Sequence, residues 1–175
     1  GDKLPQATKD AIQKKITTYG GDIRGTTENH LLMYATAFTL ARQTWPTETF
    51  SHPNFESGDP SGSKWIDNWM ISTVKRGYHE SDTYFYDVFY MNCLAALYEF
   101  SSDPLQAHRA KMTMDWLLLN GAGQYLKGYR IAPTHRGINS PRGYESPHEP
   151  GMTTIAYWLY FGDSPQMNLI DSDIS

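Results

Sequence analysis

Apolar positions along the chain recur at three- and four-residue spacing in successive stretches, separated by glycine, proline and polar turns, and the pattern predicts about six helices. Pro5, followed by Ala11, Ile12 and Ile16, marks a first helix that the Gly20-Gly21 pair closes, because glycine tolerates the left-handed exit. A second helix starts near Thr27, carries Leu31, Tyr34, Phe38, Ala41 and Trp45 as its apolar stripe, and ends at Pro46, which has no backbone donor. A polar stretch with Asn54, Gly58, Pro60 and Gly62 reads as a long loop. The third helix presents Trp65, Ile66, Trp69, Met70 and Thr73 before Gly77, and the fourth runs from about Tyr84 through Val88, Cys93 and Leu97 to Phe100. Asp103-Pro104 is a cap followed by a favoured first helical residue, and it opens a fifth helix with Ala107, Ala110, Met114, Leu117 and Leu118, closed by Gly128. A short last helix carries Ile155, Trp158, Leu159 and Phe161 up to Gly162.

Two segments break the hairpin rhythm. Residues 129 to 150 are rich in Gly, Pro, Ser and Arg and longer than an ordinary helix connection; Tyr129, His135, Arg136, Arg142, Tyr144 and His148 spaced through them point to function. The polar tail 163–175 is expected to fray or to pack on a neighbour. Residues 1–162 therefore read as one helical-hairpin domain. With 175 residues, 39% of them hydrophobic and 19% charged, that domain is large enough for its own core. A net charge of −4 argues against nucleic acid as a partner, since phosphate contacts need a basic surface. No apolar run is long enough to cross a bilayer, and the start at Gly1-Asp2-Lys3 suggests a processed chain or an excised piece. The one cysteine, Cys93, lies among Met91, Leu94 and Ala95 and reads as a small buried hydrophobe.

Three polar clusters occupy the same topological place, in the turn before every second helix. They are Glu28-Asn29-His30, the run His79-Glu80-Ser81-Asp82-Thr83-Tyr84, and Thr134-His135-Arg136-Gly137. Antiparallel hairpins return alternate turns to one end of the stack, so these clusters are expected on one rim with neighbouring turns within ~20 Å. The opposite turns, around Trp45-Pro46 and Asp103-Pro104, are expected to carry ordinary capping chemistry, with His52 and His108 as solvent residues.

The same three motifs carry a resemblance. Thr27-Glu28-Asn29-His30 with its helix closing in Trp45-Pro46 is similar to a motif of large bacterial proteins of the α/α-toroid architecture. In that family a Gly-aromatic-x-Glu turn opens an inner helix, matched approximately by Gly77 to Tyr84, and a Thr-His-Gly-Arg turn follows, matched with its last two residues exchanged at Thr134-His135-Arg136-Gly137. The resemblance spans about residues 5 to 162. It implies an all-α fold of antiparallel hairpins forming an incomplete (α/α) toroid, since three hairpins make an arc and a toroid needs about twice as many. It also implies a polysaccharide lyase or a glycoside hydrolase, working outside the cytoplasm on an acidic polysaccharide or oligosaccharide. No cofactor and no metal are called for. The missing wall would come from a second copy or from the remainder of the toroid.

A lyase acting on a uronate must neutralise the carboxylate, take the neighbouring proton and protonate the leaving oxygen. On the expected rim Asn29 and Arg136 would neutralise, His30 or His135 would act as base, and Tyr84 would donate or relay the proton. Glu28, His79, Glu80, Asp82, Tyr129, Arg142 and Tyr144 would bind substrate around them. A hydrolase would instead use two carboxylates from Glu28, Glu80 and Asp82. A helical binding or assembly module remains a third reading, because an unclosed arc leaves apolar edges. Structural roles compete throughout: Glu28 suits the positive end of a helix, Asn29 and Asp82 or Ser81 suit helix caps, and His30 suits a hydrogen-bonded wall position.

Overall fold

The computed structural model describes residues 4–17, 26–81, 86–126, 129–130 and 152–162. It is helical almost throughout: α1 (Gln6–Thr17), α2 (Glu28–Thr44), α3 (Ser63–Arg76), α4 (Tyr86–Phe100), α5 (Pro104–Ala122) and α6 (Met152–Phe161). A two-residue antiparallel ladder pairs β1 (Tyr125–Leu126) with β2 (Tyr129–Arg130). That ladder corrects the end expected for the fifth helix. It stops at Ala122, and the chain turns into the ladder before it reaches Gly128.

The packing order follows from hairpin connection. α2 packs on α3 and α4, α4 on α5 and α6, and α3 on α5, with α6 also touching α5. One row is therefore α2, α4, α6 and the other is α3, α5. Between the rows lie Leu32, Ile66, Met70, Tyr90, Leu94 and Leu97, all at or below 1% exposure, each worth about 1.5–3 kcal/mol of transfer free energy if fully buried on folding. α3 buries Ile66, Trp69, Met70 and Thr73, the face its spacing predicts. Cys93 is buried among these residues, and burial pushes its thiol up to about 11, which keeps it protonated and unreactive near neutrality.

In α2 the buried residues are Asn29, Leu32, Ala35, Thr36, Thr39 and Ala41, and the aromatic side chains of the expected stripe are only partly buried. Tyr34 and Phe38 instead face the loop between α2 and α3, where Phe38 stacks on Phe50 at 5.9 Å and Tyr34 on His52 at 5.1 Å. The loop adds an aromatic layer that joins the helical core through Phe55. It also overturns the expectation that His52 is a solvent residue, since its ring is 3% exposed between Tyr34 and Phe55, whereas His108 is exposed as expected. α1 departs in the other direction: it buries no side chain, leaves Ile12 and Ile16 open, and reaches the loop through Gln13 Nε2, which donates to Glu48 Oε1 at 3.3 Å.

Burial of His52 sets a pH dependence. The backbone N–H of Asn54 donates to Nδ1 at 3.1 Å, so the neutral ring carries its proton on Nε2, and burial holds its pKa below the ordinary imidazole value. A second proton would have to displace the Asn54 bond and charge an aromatic pocket. The unfolded chain therefore binds the proton first, and stability that is complete above pH ~6.5 is expected to decline as the pH falls toward the lowered folded value. Urea midpoints between pH 8 and 5 read this directly. A His52→Gln variant should lose that share of the decline, and a parallel decline in parent and variant would assign it elsewhere.

Candidate functional site

The start of α2, the end of α3 and the first turn of α4 meet at one end of the stack. Glu28, in the first turn of α2, is the hub. Its Oε1 accepts from the Trp69 indole at 2.8 Å, and its Oε2 accepts from the backbone N–H of His79 at 2.6 Å and from the Tyr90 hydroxyl at 3.2 Å. The first two motifs, some fifty residues apart in sequence, are thereby in direct contact, well inside the expected span.

Around that hub the side chains are packed. Tyr90 stacks on Trp69 with ring centroids 5.5 Å apart and meets the edge of Tyr78 at 5.0 Å. Its hydroxyl also lies 3.5 Å from Glu80 Oε2, and Tyr78 donates to Asp87 Oδ1 at 2.6 Å. Burial first, then the carboxylates of Glu28, Glu80 and Asp87, push the Tyr90 phenol far above its ordinary range, so it stays protonated and donates. Tyr78 and Tyr90 are buried and belong to the core. Glu28 and Glu80 share one tyrosine hydroxyl, so a tyrosine stands between these two carboxylates.

Beside the hub, Thr27 caps α2 through its position, yet its side chain caps no backbone donor. Its hydroxyl is spent on two side chains, Asn29 Oδ1 at 2.6 Å and His30 Nδ1 at 2.7 Å. A hydroxyl has one proton to give. Donated to the Asn29 carbonyl, it leaves the oxygen to accept from His30 Nδ1–H, and the neutral ring then keeps Nε2 as its free base. Asn29 is buried, His30 is partly exposed and His79 is exposed, while Glu80 is buried. Asp82, Tyr84, His135, Arg136, Arg142 and Tyr144 lie outside the described residues, and so does the side chain of Tyr129. Among the described residues no group of three metal-ligating side chains converges.

At the other end of the stack, the turns expected to do no more than cap helices enclose a cleft of about 260 Å³. The capping chemistry is there: Asp103 Oδ1 accepts from the N–H of Leu105 and Gln106, and Asp59 Oδ2 from those of Lys64 and Trp65. The cleft, which the sequence reading missed, is lined by residues including Arg42, Gln43, Ser61, Ser63, Ser101 and Gln106. Its signal in the sequence was the serine pairs flanking two helix starts, Ser61 with Ser63 and Ser101 with Ser102. Comparison of the chain with protein-family models, with characterised proteins and with solved structures gives no match.

Proposed function

We propose that the chain is a carbohydrate-active protein, an arc of an α/α toroid that cleaves an acidic polysaccharide by β-elimination at the Asn29–His30 rim. The observation that carries the reading is the Thr27 hydroxyl held between Asn29 Oδ1 and His30 Nδ1, which leaves Nε2 of a partly exposed imidazole as a base beside an amide. An inner row of α2, α4 and α6 against an outer row of α3 and α5 is the order a toroid arc requires, and it supports the architecture. In this reading His30 takes the proton beside the uronate carboxylate, the roles of neutralising that carboxylate fall to Asn29 and Arg136, His135 is the alternative base, and Tyr84 returns a proton to the leaving oxygen.

Elimination creates an unsaturated sugar that absorbs in the ultraviolet, and hydrolysis does not. The full chain, incubated with a panel of uronate polysaccharides, is expected to raise ultraviolet absorbance, and His30→Ala to lower the rate by ~10²-fold or more. New reducing ends without absorbance would replace the lyase by a hydrolase. Neither signal would favour the assembly module, for which one observation speaks: Leu105, Met112 and Leu119, spaced by seven along α5, are all more than half exposed.

A further inference from the structure

We infer that the cleft between the C-terminal end of α2 and the N-terminal ends of α3 and α5 is a binding site for a small oxyanion, a carboxylate or phosphate group, with Arg42 as its anchor. Arg42 Nη1 donates to Ser61 Oγ at 3.2 Å, and Ser61 is 1% exposed, so the guanidinium is steered over the cleft by a fixed hydroxyl. The nearby carboxylates are already engaged. Asp59 and Asp103 accept backbone N–H donors at the starts of α3 and α5, and among the described residues Arg42 pairs with no acid. A guanidinium fork with no carboxylate partner among the described residues, in a concave site walled by hydroxyls and by Asp103, whose carboxylate is turned to backbone N–H donors, matches the planar oxygens of a carboxylate or phosphate.

The wall is built and not a chance collection of surface groups. Gln106, 2% exposed, is clamped at both ends, its Nε2 donating to Ser63 Oγ at 3.3 Å and its Oε1 accepting from Ser101 Oγ at 3.1 Å. Gln43 Oε1 accepts the backbone N–H of Ser102 across the same cleft. Among the described residues the lining offers no aromatic platform of the kind on which neutral sugar rings stack, so charge and hydrogen bonding select the ligand. This site lies at the end of the stack opposite His30 and stands whether or not that rim is catalytic.

Titration of the full chain with inorganic phosphate, acetate, glucuronate and glucose, at constant ionic strength and followed by calorimetry, tests it. One saturable site is expected for at least one of the three anions and none for glucose. The strongest of phosphate, acetate and glucuronate then identifies the source as a phosphate ester, a simple carboxylate or a uronate. Arg42→Ala should weaken binding by at least ~10-fold, with Arg42→Lys between the two because it keeps the charge and loses the fork. The side-chain amide resonances of Gln43 and Gln106 should move on anion addition in the parent chain. Binding unchanged in a folded Arg42→Ala variant, or anion responses that never saturate, would overturn the assignment.

Discussion

Glu28→Ala is expected to lower the unfolding free energy by roughly 3 kcal/mol, the scale for removing a carboxylate that leaves several donors without partners. Three donors lose their acceptor at once: the Trp69 indole, the His79 backbone and the Tyr90 phenol. Their contributions are not additive, because Trp69 and Tyr90 are also stacked on each other and will relax together. Glu28→Gln should cost about half as much, since one amide oxygen still accepts while its NH₂ group faces donors. Urea unfolding followed by tryptophan fluorescence reports both quantities, and the folded Ala variant should emit at longer wavelength as water reaches the indole. A loss below ~1 kcal/mol would show that solvent already replaces these bonds.

Gly62→Ala is the second large effect, at about 2–4 kcal/mol, from two separable costs. The residue has φ +76°, the left-handed conformation that a Cβ penalises, and it caps the start of α3. A Cβ there would also stand 2.7 Å from Phe55 Cε2 and 2.9 Å from Ala35 Cβ, so it would collide with the aromatic layer of the loop on one side and with α2 on the other. Adding Phe55→Leu to Gly62→Ala should relieve part of the collision and none of the backbone cost. A double-mutant cycle on thermal unfolding separates them, and strict additivity would mean that the collision is absent.

Helix existence was legible because it depends on local spacing and stop signals. α3 is the clearest case: Trp69, Met70 and Thr73 at helical spacing have neighbours on one side, and the buried face is the apolar one. In α2 the same reasoning picked the wrong depth. Tyr34 and Phe38 look like core residues from their own helix, but the loop that covers them lies ten or more residues further on, and small Ala35 and Thr36 take the close helix contact. His52 was misplaced for the same reason, as nothing local to a polar loop announces that Tyr34 and Phe55 will enclose its ring.

The candidate site divides along a similar line. Counting alternate turns was enough to bring Glu28 and His79 to one end, because hairpin topology decides that without side-chain detail. It was blind to what the side chains would do on arrival, and Glu28 turned out to be consumed by three internal donors. The cleft at Arg42 escaped notice because concavity is a property of how three helix ends are spaced, and no single turn carries it.

Gly121 in α5 carries a consequence for how α6 finds its seat. A Cβ at that position would lie 2.8 Å from Tyr157 Cε1 and nearer still to its Cζ and Oη, so the phenol ring sits in a notch where the helix backbone is bare. Sliding α6 by one turn in either direction would offer the notch Thr153, too small to fill it, or Phe161, which lacks the hydroxyl. The notch therefore acts as a detent. It lets the sixth helix, returning after a long connection, lock at one register along α5, so that shape at one glycine specifies alignment of an entire element.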